Sequence, residues 1–187
     1  GRKGALAEAW GRGAEVEVCY SPEGALDLAR AKPGREVVFL GIGFETTTAP
    51  VVSLVPLAKA AGIKNLSLLT AFKLVPPALD ALLADPLVAV HAFICPAHVS
   101  AIIGSEAYRP YVDQGVPAVV AGFEPLDILM AVAEIIDQHT KGVAALVNQY
   151  DRVVRPEGNR KAQALFEAYL KLEDAAWRGI GVIPESG

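Results

Sequence analysis

The stretch Val37-Val38-Phe39-Leu40-Gly41-Ile42-Gly43-Phe44-Glu45-Thr46-Thr47-Thr48-Ala49-Pro50 decides the fold. It opens as an apolar run of strand length, and helical spacing follows from about Ala49 to Ala61, closed by Gly62. A continuous apolar strand has no side that suits water, which is the signature of a parallel sheet covered on both faces. The pattern returns at Val119-Val120-Ala121-Gly122-Phe123-Glu124-Pro125-Leu126-Asp127. Twice, then, an acidic residue stands where a buried strand turns into a helix. Ligands of open parallel sheets bind at the carboxyl ends of strands, and a carboxylate kept there must be paired, hydrogen-bonded or used.

Outward from these segments the chain alternates. A short helix at Ala5–Trp10 precedes a strand at Val16–Tyr20, and Ser21-Pro22 opens a helix through Arg30. Further strands are expected at Glu36–Ile42, Asn65–Thr70, Val88–Ile94, Ala118–Ala121 and Val143–Val147. Helices are expected at Pro76–Leu83, Glu106–Asp113, Leu126–His139 and Asn159–Leu172. This βα alternation predicts an α/β fold, a mostly parallel, Rossmann-like sheet with helices on both faces and right-handed crossovers. The two Glu segments could share one sheet or face each other across two lobes, with a slight preference for one compact unit over residues 1–187. If the chain divides, the boundary is placed near 104–117. The apolar tail Trp177–Pro184 should pack on this domain or a neighbour.

Composition narrows the function classes. With 187 residues the chain can bury roughly 70% of its unfolded surface. It is 52% hydrophobic and 20% charged, with mean hydropathy +0.35. Seventeen basic against 21 acidic residues give a net charge of -4, without the basic stripe a nucleic-acid site needs. The apolar stretch from Leu87 to Gly104 is broken by His91, Pro96 and His98, so no membrane span is expected, and the first residues lack signal-peptide features. A cytoplasmic location follows as the expectation. Cys19 and Cys95 form no CxxC pair, so neither a zinc nor a thiol redox motif is complete.

Three constellations carry chemistry. Glu45 with Thr46, Thr47 and Thr48 offers a carboxylate, hydroxyls and N–H groups at a helix start. The plainer alternative makes one threonine an N-cap and leaves Glu45 in solvent. Cys95-Pro96-Ala97-His98-Val99-Ser100 places a thiol, an imidazole and a hydroxyl within six positions, suited to proton transfer, a metal or a nucleophile–base pair. A buried cysteine beside a satisfied histidine is the commoner outcome. Asn148 and Arg152, after the last strand, suit anion or carboxylate recognition. Walker, GxGxxG, GxSxG and HExxH motifs are all missing from the sequence.

Taken in order, these segments resemble the HypD family of hydrogenase maturation factors. The resemblance rests on Val18–Pro22, Gly43–Pro50, Cys95–Gly104, Val119–Leu129, Asn148–Tyr150, Glu157–Asn159 and Trp177–Gly181, and so spans nearly the whole chain. It implies a scaffold that assembles the Fe(CN)2CO unit of [NiFe]-hydrogenases with a HypC-like small chaperone and a HypE-like cyanide donor. It also implies two α/β lobes and, in the full-length family, a [4Fe-4S] cluster. The family's amino-terminal cysteine motifs, including the cysteine implied to hold iron, and its cluster cysteines have no counterpart here. The likeness is therefore to the family's middle, with no bound cofactor or metal expected. Ala97 stands where the family pattern has glycine. By resemblance Glu45, His98 and Glu124 are the catalytic candidates, and Thr46, Thr47 and Ser100 line the assembly cleft. Two further readings stay open: a small-molecule enzyme using Glu45, Cys95 and His98, and an interaction module without chemistry of its own.

Overall fold

A computed structural model describes residues 4–187. After a short helix α1 (Leu6–Gly11), the segment expected as a strand at Val16–Tyr20 is irregular, with Val18 and Tyr20 exposed. The physical reason is pairing: β1 (Val37–Gly43) has β2 (Leu66–Phe72) as its ladder partner, and no other strand runs beside it among the described residues. Helix α2 (Glu23–Ala31) buries Ala25, Leu26 and Ala29. A single amide fastens its end to the sheet, because Asn65 Nδ2 donates to the carbonyls of Ala29, Lys32 and Arg35 at 3.0, 3.0 and 2.8 Å.

The α/β class holds, with the strands divided between two parallel sheets instead of one. The first is β1–β2, in register from Val37↔Leu66 to Gly43↔Phe72. The second is β3 (Phe93–Pro96), β4 (Ala118–Ala121) and β5 (Leu146–Asn148), in that order and all parallel. Residues 104–117 lie within the crossover between the neighbouring strands β3 and β4. β4 is buried on both faces: Val120 joins a cluster with Phe93, Cys95, Tyr108 and Tyr111, while Val119 and Ala121 pack against Ala131. That is why Ala118–Ala121 reads as an unbroken apolar run. The first sheet buries Phe39, Leu68 and Phe72 beside Val51 and Val52, but Val38, Leu40, Ile42 and Leu69 stay exposed on alternate positions.

Between β1 and β2 lie α3 (Glu45–Val52) and α4 (Leu54–Ala60), so the single helix expected here is two, starting at Glu45. Pro50 within α3 removes a backbone donor, and the chain re-enters helix after Ser53. Then come α5 (Val75–Ala84), α6 (Ala97–Ile103), a 3-10 turn (Ser105–Tyr108), α7 (Arg109–Asp113), α8 (Pro125–Lys141) and α9 (Arg160–Tyr169). The chain closes on the antiparallel hairpin β6 (Ala175–Trp177) and β7 (Gly181–Ile183). This tail packs on the domain itself: Ser186 is buried, its carbonyl accepts from Leu74 N–H at 3.0 Å, and Trp177 Nε1 donates to its hydroxyl at 2.8 Å.

The end of α6 and the entry to α9 are tied together at two glycines. Ser105 and Glu106 donate to the carbonyls of Arg155 and Pro156, and Asn159 N–H donates to Ile102. A Cβ on Gly104 would overlap Pro156 O and one on Gly158 would overlap Ile102 O, and both residues have positive φ (91° and 69°). Gly104→Ala should therefore destabilise the fold by about 2–3 kcal/mol. Urea denaturation reads this directly, and an unchanged midpoint would remove the close approach from the account.

Candidate functional site

Each parallel sheet ends in one of the two repeated segments. At the end of β1, Gly43 takes φ +148° and a Cβ there would come within 2.6 Å of Thr47 Oγ1. The tight exit sets Glu45 at the first turn of α3, 1% exposed, so the solvent-facing alternative is excluded. Its Oε1 accepts from Val75 N–H at 2.9 Å, joining the start of α3 to the start of α5. Its Oε2 is buried and receives no hydrogen bond. Burial pushes the Glu45 carboxyl above its ordinary range, opposed by hydrogen bonds from its own N–H and from Val75. Thr48 is committed elsewhere, donating to Phe44 O at 3.0 Å; Thr46 is half-buried and Thr47 exposed. No threonine caps α3, whose N-cap residue is Phe44.

The second sheet gathers a continuous surface at three strand ends. His98, in the first turn of α6, is exposed with its ring 4.8 Å from that of Phe123. Phe123 follows Gly122, where a Cβ would overlap Asp127 and come within 2.7 Å of the Tyr150 ring. Arg152 lies over that ring at 3.7 Å, and its Nη2 is 3.9 Å from Asp127 Oδ2. The cation is thus held over an aromatic face and near a carboxylate, and among the described residues no hydrogen bond occupies its donors. Glu124, the N-cap of α8, is exposed. Asn148 is a positioning group: its Nδ2 donates to Val154 O at 3.0 Å and its Oδ1 accepts from Tyr150 N–H at 3.0 Å, which fixes the loop carrying Arg152.

The two remaining candidates sit inside the core. Cys95 is 1% exposed and burial pushes its thiol up to about 12, so it carries no thiolate at neutral pH. Ser100 Oγ donates to Pro96 O at 2.8 Å and lies 3.0 Å from Tyr108 Oη, a satisfied buried pair. His98 and Glu124 therefore share the second sheet's edge with Arg152, whereas Glu45 stands at the other end of α6. Glu45 lines a cleft with Ile103, five residues and about 7–8 Å of helix axis from His98. Asp127 and Tyr150 also build this edge; residue type does not mark them, because their role rests on packing against Gly122.

Comparison with known proteins follows these same segments. The family model described as "Hydrogenase formation hypA family" (HypD) matches residues 1–187. The chain belongs to the HypD family. It is 44% identical over 188 residues to the hydrogenase expression/formation protein HupD of Azotobacter chroococcum mcd 1, covering 97% of this chain and 50% of that one. Identity to the hydrogenase maturation factor HypD of Azotobacter vinelandii is also 44%, again over 97% of this chain and 50% of the relative. HypD of Escherichia coli K12 is 42% identical over all of this chain and 51% of its own length. The chain thus spans about half the length of the curated relatives it matches. The [4Fe-4S] cluster implied by the HypD resemblance finds no fit here. Two separated cysteines, one buried, cannot supply four thiolates, and among the described residues no three His, Cys, Asp or Glu converge on a metal position.

Two outcomes test this geometry. At pH 8 a thiol-specific reagent should label one cysteine per native chain, the exposed Cys19, and two after denaturation; rapid native labelling of both would unseal Cys95. The raised Glu45 pKa means that the folded state favours the protonated acid. Stability from this group is complete below about 4.5 and declines as pH rises through the raised value. Glu45→Gln keeps the acceptor for Val75 and removes the charge. It should match or exceed wild type in urea midpoint at pH 8, and the difference should vanish at pH 4.

Proposed function

We propose that these residues form the central part of a cytoplasmic [NiFe]-hydrogenase maturation scaffold, which supports assembly of an Fe(CN)2CO unit with a HypC-like chaperone and a HypE-like cyanide donor. The observation that carries this reading is the family match over residues 1–187. The strand-end surfaces support it in kind. His98 and Glu124 are exposed groups able to move protons at the edge of the second sheet. Arg152 offers oriented donors, which suit the nitrogen of a cyanide ligand on the cargo. Thr47, exposed at the start of α3, supplies a hydroxyl of the same use, and Thr46 lies beside it, half-buried. Glu45 is the acid of the first sheet's end. It is already protonation-prone and thus fit to give up a proton when a cationic centre arrives.

A small-molecule enzyme built on Glu45, Cys95 and His98 would need a thiolate beside an imidazole. Cys95 is sealed in the core, and His98 faces Phe123 on the surface. The geometry favours the scaffold. No helix among the described residues is long and apolar enough to cross a membrane.

Infrared spectroscopy of the full-length protein, purified without oxygen with its small partner, provides the test. Cyanide and carbon monoxide stretching bands at matching iron content are the expected result. His98→Ala and Glu124→Gln should slow the appearance of those bands at least about tenfold without changing the melting temperature. Iron and partner bound in the absence of any such bands would overturn the reading.

A further inference from the structure

The cleft that Glu45 lines is a second site, separate from the strand-end surface of the second sheet. It has a volume of about 450 Å³, at the small end of ligand clefts. Three carboxylate residues line it, Glu45, Asp80 and Glu185, and no Lys, Arg or His does. Asp80 and Glu185 are exposed, whereas Glu45 is buried and keeps one oxygen without any donor. A buried acceptor left unmatched is unfavourable, and a cationic donor that reached it would favour the carboxylate over the protonated acid.

The kind of donor follows from the other walls. The carboxylates do not converge as metal ligands, since no metal-competent group of three exists among the described residues. They are spread over a surface made largely of Pro76, Pro77 and Phe166, flat apolar faces on which a planar cation can stack. Glu185 is held at the cleft by its own backbone, whose N–H donates to Asp174 Oδ1 at 3.1 Å.

We propose that this cleft receives the guanidinium group of an arginine side chain presented by a partner protein. Arginine fits better than lysine because its head is planar and weakly hydrated, and it can donate to two carboxylates while its faces rest on proline and phenylalanine. Two exposed acids at the opening draw the cation in, and the unmatched Glu45 oxygen takes a donor when the neighbouring side chains part. The inference concerns a docking contact and is independent of the iron unit.

The test titrates the full-length protein with N-acetyl-arginine-methylamide and with the corresponding citrulline compound, its uncharged isostere, followed by amide shifts of residues around Phe166. Saturable binding of the arginine probe at low salt, about tenfold tighter than citrulline, is expected. Asp80→Asn and Glu185→Gln, both at exposed positions, should each weaken binding about threefold to tenfold, and Glu185→Gln, which lies away from the Tyr111 contact of Asp80, should do so with an unchanged thermal melt. Equal affinity for the two probes, or no binding of either, overturns the proposal. Free agmatine binding more tightly than the blocked arginine overturns the protein origin of the group. Arginine binding in a protein that shows no cyanide bands would leave this site standing while the scaffold reading fell.

Discussion

One backbone contact seats α6, the helix that carries His98: the approach of Gly104 to the Pro156–Gly158 turn. With no Cβ on either side, the end of α6 and the entry to α9 exchange main-chain hydrogen bonds directly. Gln163 reinforces the junction, its Nε2 donating to Ile102 and Glu157 carbonyls at 2.9 and 2.8 Å. Asn159 closes it by capping α9, its Oδ1 accepting from Lys161 and Ala162 N–H. A seven-residue helix is too short to hold its own position. Seated at this junction and packed against α3, α6 puts His98 at the edge of one sheet and Ile103 against the cleft of the other.

Burying Glu45 is the second constraint, and its sign is unfavourable. Desolvation of a carboxyl outweighs the two backbone hydrogen bonds it receives, which is why its affinity for protons rises. A glutamine would satisfy Val75 without that penalty. The fold therefore tolerates an acid where an amide would pack as well, so local stability does not explain the residue. Asp127 presents the same contradiction more mildly, with one buried oxygen unbonded and Arg152 held at 3.9 Å. Groups kept against their local free energy at strand ends are where function concentrates.

The α/β class was legible because β1 and β4 are apolar runs each ended by glycine and an acid, a pattern that parallel sheets impose by burying both faces. The division into two sheets was not. Nothing in the periodicity of Leu66–Phe72 or Phe93–Pro96 says which neighbour each strand will choose, and pairing depends on crossover geometry. Val16–Tyr20 has strand composition yet no partner strand here, so propensity alone could not order it. At the site, Glu45 stood out as an acid at a strand end. Cys95 was chosen for its reactive atom, yet residue type cannot report the Val120, Tyr108 and Tyr111 packing that seals the thiol. Asp127 and Tyr150 escaped notice because their significance lies in a steric relation to Gly122, which only the fold creates.

These placements bear on what kind of machine the domain is. An enzyme acting on one small molecule brings its acid, base and anchoring groups within hydrogen-bond reach of a common atom. Here His98 lies against Phe123 and Arg152 over Tyr150 after the second sheet's strands, while Glu45 lines a cleft beside Ile103 at the far end of α6. Glu45 is buried as well, so a ligand resting against His98 and Arg152 does not meet its carboxylate in this arrangement. The repeated strand–glycine–acid segment thus yields two unlike acids, Glu45 buried after the first sheet's strand and Glu124 exposed after the second's. One sequence pattern gives two chemical environments, because what packs over each strand end, and not the pattern itself, sets the burial of the acid.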